Sequence, residues 1–168
     1  MNKQNKLFYI TTPLYYVNSH PHLGHSYSTI VADIINRYKK LFGFKTYFLT
    51  GTDEHGQKIV EAANNENKSP KEFADEISNE FKEMWQKLGI EYSQFIRTTA
   101  DFHKRIVQDI LLKVYDKGEI YFAEYEGLYC VGCERFLDET ELVDGDCPAH
   151  KTKPTLIKES NYFFKICR

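Results

Sequence analysis

Two groups of residues in this 168-residue chain have types and spacings that can do chemistry. The first is His22-Leu23-Gly24-His25, followed further along by Thr50-Gly51-Thr52-Asp53-Glu54-His55-Gly56. Histidines three apart at the head of a helix lie on neighbouring positions of one face. A helix N-terminus offers orphan N–H groups and a positive dipole end, both of which attract phosphate. Imidazoles there add hydrogen bonds to phosphoryl oxygens as charge builds during transfer. Gly24 has no Cβ, so a flat purine or ribose can approach the backbone. Alone, the pair reads equally well as capping or solvated histidines. Asp53 is an anion for an ammonium group, a cap for the helix starting at Gln57, or a turn residue. His55 either hydrogen-bonds near a nucleoside or organises the turn.

The second group is Cys130-x2-Cys133 and Cys147-x2-His150, separated by residues 134–146. Each pair can grip one ion from a tight turn, and four ligands complete a tetrahedral zinc site with no open position, hence a structural one. Thiolates disfavour magnesium or calcium. The competing readings are unrelated thiols in a reducing compartment, a disulfide, or an iron–sulfur site. Cys167 lacks a paired ligand and is read as a non-ligand. His103 is read as a surface residue.

These groups need elements to hold them. Residues 7–12, LFYITT, read as a buried strand, and PLYYVNSHP as a loop with Pro21 in the first turn of a helix. From His22 to Phe42 the apolar residues Ile30, Ile34, Ile35, Tyr38, Leu41 and Phe42 form a stripe at helical spacing. Residues 45–50, KTYFLT, read as a second strand, which opens a βαβ unit. A helix is expected from Gln57 to Asn65. Ser69-Pro70-Lys71-Glu72 is a capping box for another, with Phe73, Ile77, Phe81, Met84, Trp85 and Leu88 as its apolar face. EYSQFI is a third strand. A last helix, capped by Thr99 or Asp101, is expected to bury Ile106, Ile110, Leu111, Val114 and Tyr115.

From Glu119 the texture changes to short strand-like pieces, IYFAEY, LYC and FLD, among turn-rich segments. This stretch is poor in aliphatic residues, and metal binding can supply its order, roughly 10–16 kcal/mol of apparent folding free energy. The last eight residues, NYFFKICR, read as the opening turn of a helix.

Composition narrows the field. Hydrophobic residues make up 42% and charged residues 27%, which is globular and not disordered. The net charge is -2, so no basic field exists to gather nucleic acid by charge alone. No apolar run is long enough to span a membrane. The first residues lack the form of a secretory signal, which points to a cytoplasmic location. Four cysteines, three of them clustered, are too few for a disulfide scaffold.

The span TTPLYYVNSHPHLGH followed by GTDEHG resembles the catalytic half-domain of class I aminoacyl-tRNA synthetases, and within them the methionyl-tRNA synthetase family. EFADEISNEFKEMWQKLGI, RTT, EGLYCVGCERF and NYFF extend the resemblance across the chain. It implies an α/β fold: the first half of a Rossmann-like, HUP-type nucleotide-binding fold, truncated, with an inserted zinc-knuckle subdomain. Residues 1–118 would form the first half of the catalytic fold, and residues 119–168 part of the connective insertion. His22, Gly24 and His25 would bind ATP, with His22 and His25 stabilising the transition state of adenylate formation. Leu14 and Tyr16 would line the methionine pocket, and Asp53 would hold the α-ammonium. Cys130, Cys133, Cys147 and His150 would hold structural zinc, and Mg2+ would accompany ATP. The implied partners are ATP, L-methionine and tRNA(Met), with no membrane.

No KMSKS-like loop occurs in the 168 residues. The resemblance therefore implies an N-terminal fragment, inactive alone, whose missing C-terminal half belongs to the intact enzyme. A subunit of a split synthetase, or a non-catalytic zinc-stabilised remnant, is the alternative.

Overall fold

The computed structural model describes residues 6–166. The chain divides into two compact units, residues 1–107 and 108–168.

The first unit is built on a parallel four-stranded sheet. Its strands are β1 (Leu7–Thr11), β2 (Tyr15–Tyr16), β3 (Lys45–Asp53) and β4 (Gln94–Arg97). β3 is central. β1 pairs with it from Leu7 opposite Lys45 to Thr11 opposite Leu49, and β2 pairs Tyr15 with Thr52 and Tyr16 with Asp53. β4 pairs from Gln94 opposite Leu49 to Arg97 opposite Thr52. Leu49 and Thr52 each have partners on both sides. β1 and β2 therefore follow one another along one edge of β3, and β4 takes the other. The second strand runs three residues past its expected end, to Asp53, and the expected loop contains the short β2.

The crossover from β1 to β3 is α1 (Leu23–Leu41). Pro21 precedes this helix; the N-cap is His22. The buried residues of α1 are Ser26, Thr29, Ala32, Asp33 and Asn36, and the apolar stripe from Ile30 to Phe42 is exposed. The polar face is engaged with the segment leading into β4. Asp33 accepts the Glu91 N–H at 3.0 Å, and the Asn36 amide donates to the Glu91 carbonyl at 3.3 Å. Small polar side chains that bond the backbone let the helix lie close to it, and the bulkier apolar face is turned outward.

α2 (Gln57–Asn65) and α3 (Pro70–Lys87) carry the main core. Phe73, Ala74, Ile77, Phe81 and Trp85 of α3 pack with Ile59 and Ala63 of α2 and with Tyr15 and Val17. The expected capping box is present: the Ser69 hydroxyl accepts the Glu72 N–H, and Glu72 accepts the Ser69 N–H. α4 (Asp101–Asp116) forms where expected, but none of its residues is buried, and Ile106, Ile110, Leu111 and Tyr115 are exposed. Its apolar spacing shapes a stripe that stays largely open, although Tyr115 meets Tyr162 edge-on at 6.2 Å. His103, expected at the surface, is half-buried.

The second unit contains β5 (Ile120–Cys130), β6 (Arg135–Leu137) and β7 (Thr155–Phe164) in the order β6-β5-β7, all antiparallel. The two expected pieces IYFAEY and LYC are one continuous strand, β5. The expected C-terminal helical turn is instead the end of β7. Tyr162, Phe163 and Phe164 pair with Phe122, Tyr121 and Ile120. Tyr121 stacks on Phe163 at 5.8 Å, and Phe122 meets Tyr162 edge-on at 5.2 Å. Cross-strand aromatic pairs of this kind stabilise a ladder, and they come from residues too distant in sequence for a local reading. Cys167 lies outside the described residues. No described helix is long and apolar enough to cross a membrane.

Candidate active site and metal centre

Ligands of open parallel sheets bind at the carboxyl ends of the strands. Here that edge carries Asp53, the last residue of β3, and the start of α1. Tyr15 and Tyr16 bridge the two. Tyr16 is the register partner of Asp53, and the Val17 N–H donates to the Asp53 carbonyl at 3.4 Å. The Tyr15 ring lies 4.8 Å from that of His25.

His22 and His25 form a capping box. His22 Nδ1 accepts the Gly24 N–H at 3.1 Å, and His25 Nδ1 accepts the His22 N–H at 3.3 Å. The rings stack with centroids 3.8 Å apart. A neutral imidazole that accepts at Nδ1 carries its proton at Nε2. Both rings are thereby set as Nε2–H donors at a helix N-terminus. His22 is exposed and His25 half-buried. Burial first, and the neighbouring His22 second, hold the His25 imidazole below its ordinary pKa. Gly24 is exposed, and a Cβ there would press on the His22 ring at 3.0 Å.

Side chains alternate along β2. Tyr15, paired with Thr52, turns to the helix-covered face, where it stacks on Phe81 at 5.5 Å and is only 6% exposed. Its hydroxyl bonds Ser28 at 2.7 Å and Thr29 at 2.8 Å, tying β2 to the first turns of α1. Leu14 and Tyr16 flank it and are exposed, with Tyr16 on the same face as Asp53. Tyr16 and Asp53 thus share one face of the sheet edge, and Leu14 is exposed two residues before Tyr16. Asp53 is not a helix cap; that position belongs to Gly56. His55 is exposed.

Next to Asp53 is a set of residues whose roles sequence reasoning missed. The Glu54 side chain is 0% exposed, and Arg97 grips it with both ends of its guanidinium, at 2.6 and 3.0 Å. Arg97 also donates to Asp75 of α3 at 2.6 Å. The Thr52 hydroxyl donates to Glu54 at 2.7 Å, and Thr99 donates to its other oxygen. Hydrogen bonding to Glu54 foremost, and then to Asp75, raises the Arg97 pKa further. Two acidic residues in GTDEHG cannot be told apart by type; burial assigns Glu54 to the interior and leaves Asp53 at the rim. Gly51 is required beside them, because a Cβ there would fall on the Ile96 carbonyl of β4.

The four metal-ligand candidates converge in the second unit. One ligand atom from each of Cys130, Cys133, Cys147 and His150 can be chosen so that all lie within 4.8 Å of one another. Cys133 Sγ is 3.5 Å from Cys147 Sγ and 3.2 Å from His150 Nδ1, and Cys147 Sγ is 3.9 Å from that nitrogen. A tetrahedral zinc ion sets such edges at roughly 3.5–3.8 Å from its ligand bond lengths, so the donor set fits. The sulfurs are too far apart for a disulfide. Backbone N–H groups of Cys133 and Gly132 aimed at Cys130 hold its thiol below the ordinary range. Crowding by the Cys147 thiol, with burial, pushes Cys133 up to about 11. Thiols this close cannot all ionise without a cation among them. Gly132 admits the His150 ring, since a Cβ there would lie 2.5 Å from it.

Residues 8–162 match the family described as tRNA synthetases class I (M). The chain is 48% identical over 165 residues to the methionine--tRNA ligase of Thermotoga maritima, covering 96% of this chain and 26% of that protein. It is 50% identical over 163 residues to the Clostridium perfringens methionine--tRNA ligase, covering 97% and 25%. Among solved structures it superposes on Mycobacterium tuberculosis methionyl-tRNA synthetase in complex with methionyl-adenylate. That match has a TM-score of 0.88 and 38% identity, over 95% of this chain and 32% of that one. The chain therefore spans about a quarter of the length of these curated relatives. With a matching parallel half-sheet and the family match running from β1 nearly to the end of β7, the chain belongs to the methionyl branch of the class I tRNA synthetases.

Proposed function

We propose that this chain forms the first part of the catalytic domain of a methionine--tRNA ligase. The observation that supports this most directly is the pair of Nε2–H donors of His22 and His25 at the sheet edge that also carries Asp53. In the reaction the methionine carboxylate attacks the α-phosphorus of ATP and pyrophosphate leaves with Mg2+; a ribose hydroxyl of tRNA(Met) then attacks the carbonyl carbon of the methionyl-adenylate, taking the methionyl group as an ester and releasing AMP. No covalent enzyme intermediate is needed, so the protein's work is positioning and charge stabilisation. The Nε2–H groups donate to phosphoryl oxygens where negative charge accumulates, and Gly24 gives the nucleotide access to the backbone. Asp53 accepts from the α-ammonium, and Leu14 and Tyr16 offer an apolar wall to the thioether.

Cys130, Cys133, Cys147 and His150 would hold zinc, which when bound cross-links the turns of an insert with little apolar interior. Phosphate transfer does not pass through it. These 168 residues alone are proposed to lack ligase activity, because they contain no KMSKS-like loop.

The test is to exchange this chain for the corresponding part of the Thermotoga maritima enzyme and ask whether the chimera supports growth when the host methionine--tRNA ligase is switched off. Growth is expected, and His25→Ala is expected to abolish it while leaving soluble protein. A soluble chimera that charges no tRNA(Met) would overturn the reading.

A further inference from the structure

The segment Arg97-Thr98-Thr99 at the end of β4 has no part in the chemistry above, yet all three side chains turn to the loop that carries Asp53. Arg97 and Thr99 hold the buried Glu54 carboxylate. Between them, the Thr98 hydroxyl oxygen accepts the Glu54 N–H at 2.8 Å. With its acceptor side so used, the hydroxyl proton is directed at Asp53 Oδ1, 3.4 Å away. The Thr98 N–H in turn donates to the Thr52 carbonyl at 3.2 Å, continuing the β3–β4 ladder past its last paired residues.

We propose that Thr98 is a positioning residue for substrate ammonium recognition: it orients the Asp53 carboxylate from a platform locked by the Glu54–Arg97–Asp75 ion network. A carboxylate at a sheet rim has free rotation about χ1 unless something holds it, and an ammonium is bound best by an acceptor already aimed at it. Arg97 makes that platform rigid because its planar fork satisfies Glu54 bidentately and reaches α3 in the same geometry. The link to substrate rests on the function proposed above; the orientation of Asp53 does not.

The experiment uses the chimera of this chain with the remainder of the Thermotoga maritima enzyme, with L-methionine as probe and N-acetyl-L-methionine, which has no ammonium, as control. NMR couplings of Asp53 report its χ1 rotamers, and titration reports affinity. The wild type is expected to hold Asp53 in one rotamer. Thr98→Val, which keeps the shape and removes the hydroxyl, is expected to average the rotamers and weaken methionine about tenfold, with no change for the N-acetyl compound. Thr98→Ser is expected to restore both. A fixed Asp53 in the Val variant, or an unchanged methionine affinity beside an averaging Asp53, overturns the proposal. Asp53→Asn separates the two readings: if it binds methionine as well as the wild type, or if the wild type does not bind at all, the ammonium role of Asp53 fails. The rotamer result then still decides whether Thr98 orients it.

Discussion

The imidazoles of His22 and His25 stack 3.8 Å apart while each accepts a backbone N–H of the same helix turn through Nδ1. The same two bonds that cap α1 therefore choose the tautomer offered to a ligand. Capping and phosphate recognition, which read as alternatives from the residue spacing, are compatible here because they use different nitrogens of each ring.

The first prediction concerns the charge on that pair. Burial and His22 disfavour the protonated form of His25 in the fold. Its folded pKa lies below its unfolded value, so stability falls as pH drops from 6.5 through the folded pKa and gains nothing from this group above 6.5. In an NMR titration the His25 C2–H is expected to shift with a midpoint below 6.5, and His22→Ala is expected to raise that midpoint.

His20 behaves oppositely. Its Nδ1 lies 2.7 Å from Glu80 of α3, and that hydrogen bond with its charge raises the His20 pKa. Its contribution to stability is fully present below 6.5 and is lost as pH rises through the raised folded value. Glu80→Gln is expected to bring the His20 midpoint down and to flatten this part of the urea-stability profile. An unchanged midpoint would show that the pair does not form in solution.

Tyr15 predicts a stability loss with a local signature. Tyr15→Phe removes a buried hydroxyl shared by Ser28 and Thr29 and is expected to cost about 1–3 kcal/mol in urea unfolding. Faster hydrogen exchange in the first turns of α1, with α3 protected as before, is the expected accompaniment.

Arg97→Met should be more damaging. It leaves the Glu54 carboxylate buried without its cation, a class of change that costs about 3–5 kcal/mol. The double variant Arg97→Met, Glu54→Gln is expected to recover part of that loss. Equal stability of Arg97→Met and wild type would show the network to be dispensable.

For the metal centre, one zinc per chain is expected by elemental analysis. Chelation is expected to disorder the region around β6 and the Cys147–His150 turn, whose buried core consists of Cys130, Leu137 and Cys147. Cys130→Ser or His150→Ala should do the same. A folded insert with no bound metal would count against the site.

Much of this protein could be read from the order of its residues, because the signals concerned are local. The Ser69–Glu72 capping box depends on residues three apart. Residue types mark β1, although this strand, read as buried, leaves Leu7 and Tyr9 exposed; helical spacing marks α1 and α3, and two ligand pairs of x2 spacing announce the cysteine–histidine cluster before any geometry is known. Other features depend on residues far apart in the chain. β7 exists because Phe163 meets Tyr121. The apolar stripe of α1 points outward because Asp33 and Asn36 find Glu91. Asp53 and Glu54, chemically near-identical neighbours, part ways because only the second meets Arg97 in a space closed to water. A side chain's type limits the bonds it can make; which of them it does make depends on the partner that folding brings within reach and on the solvent that folding excludes.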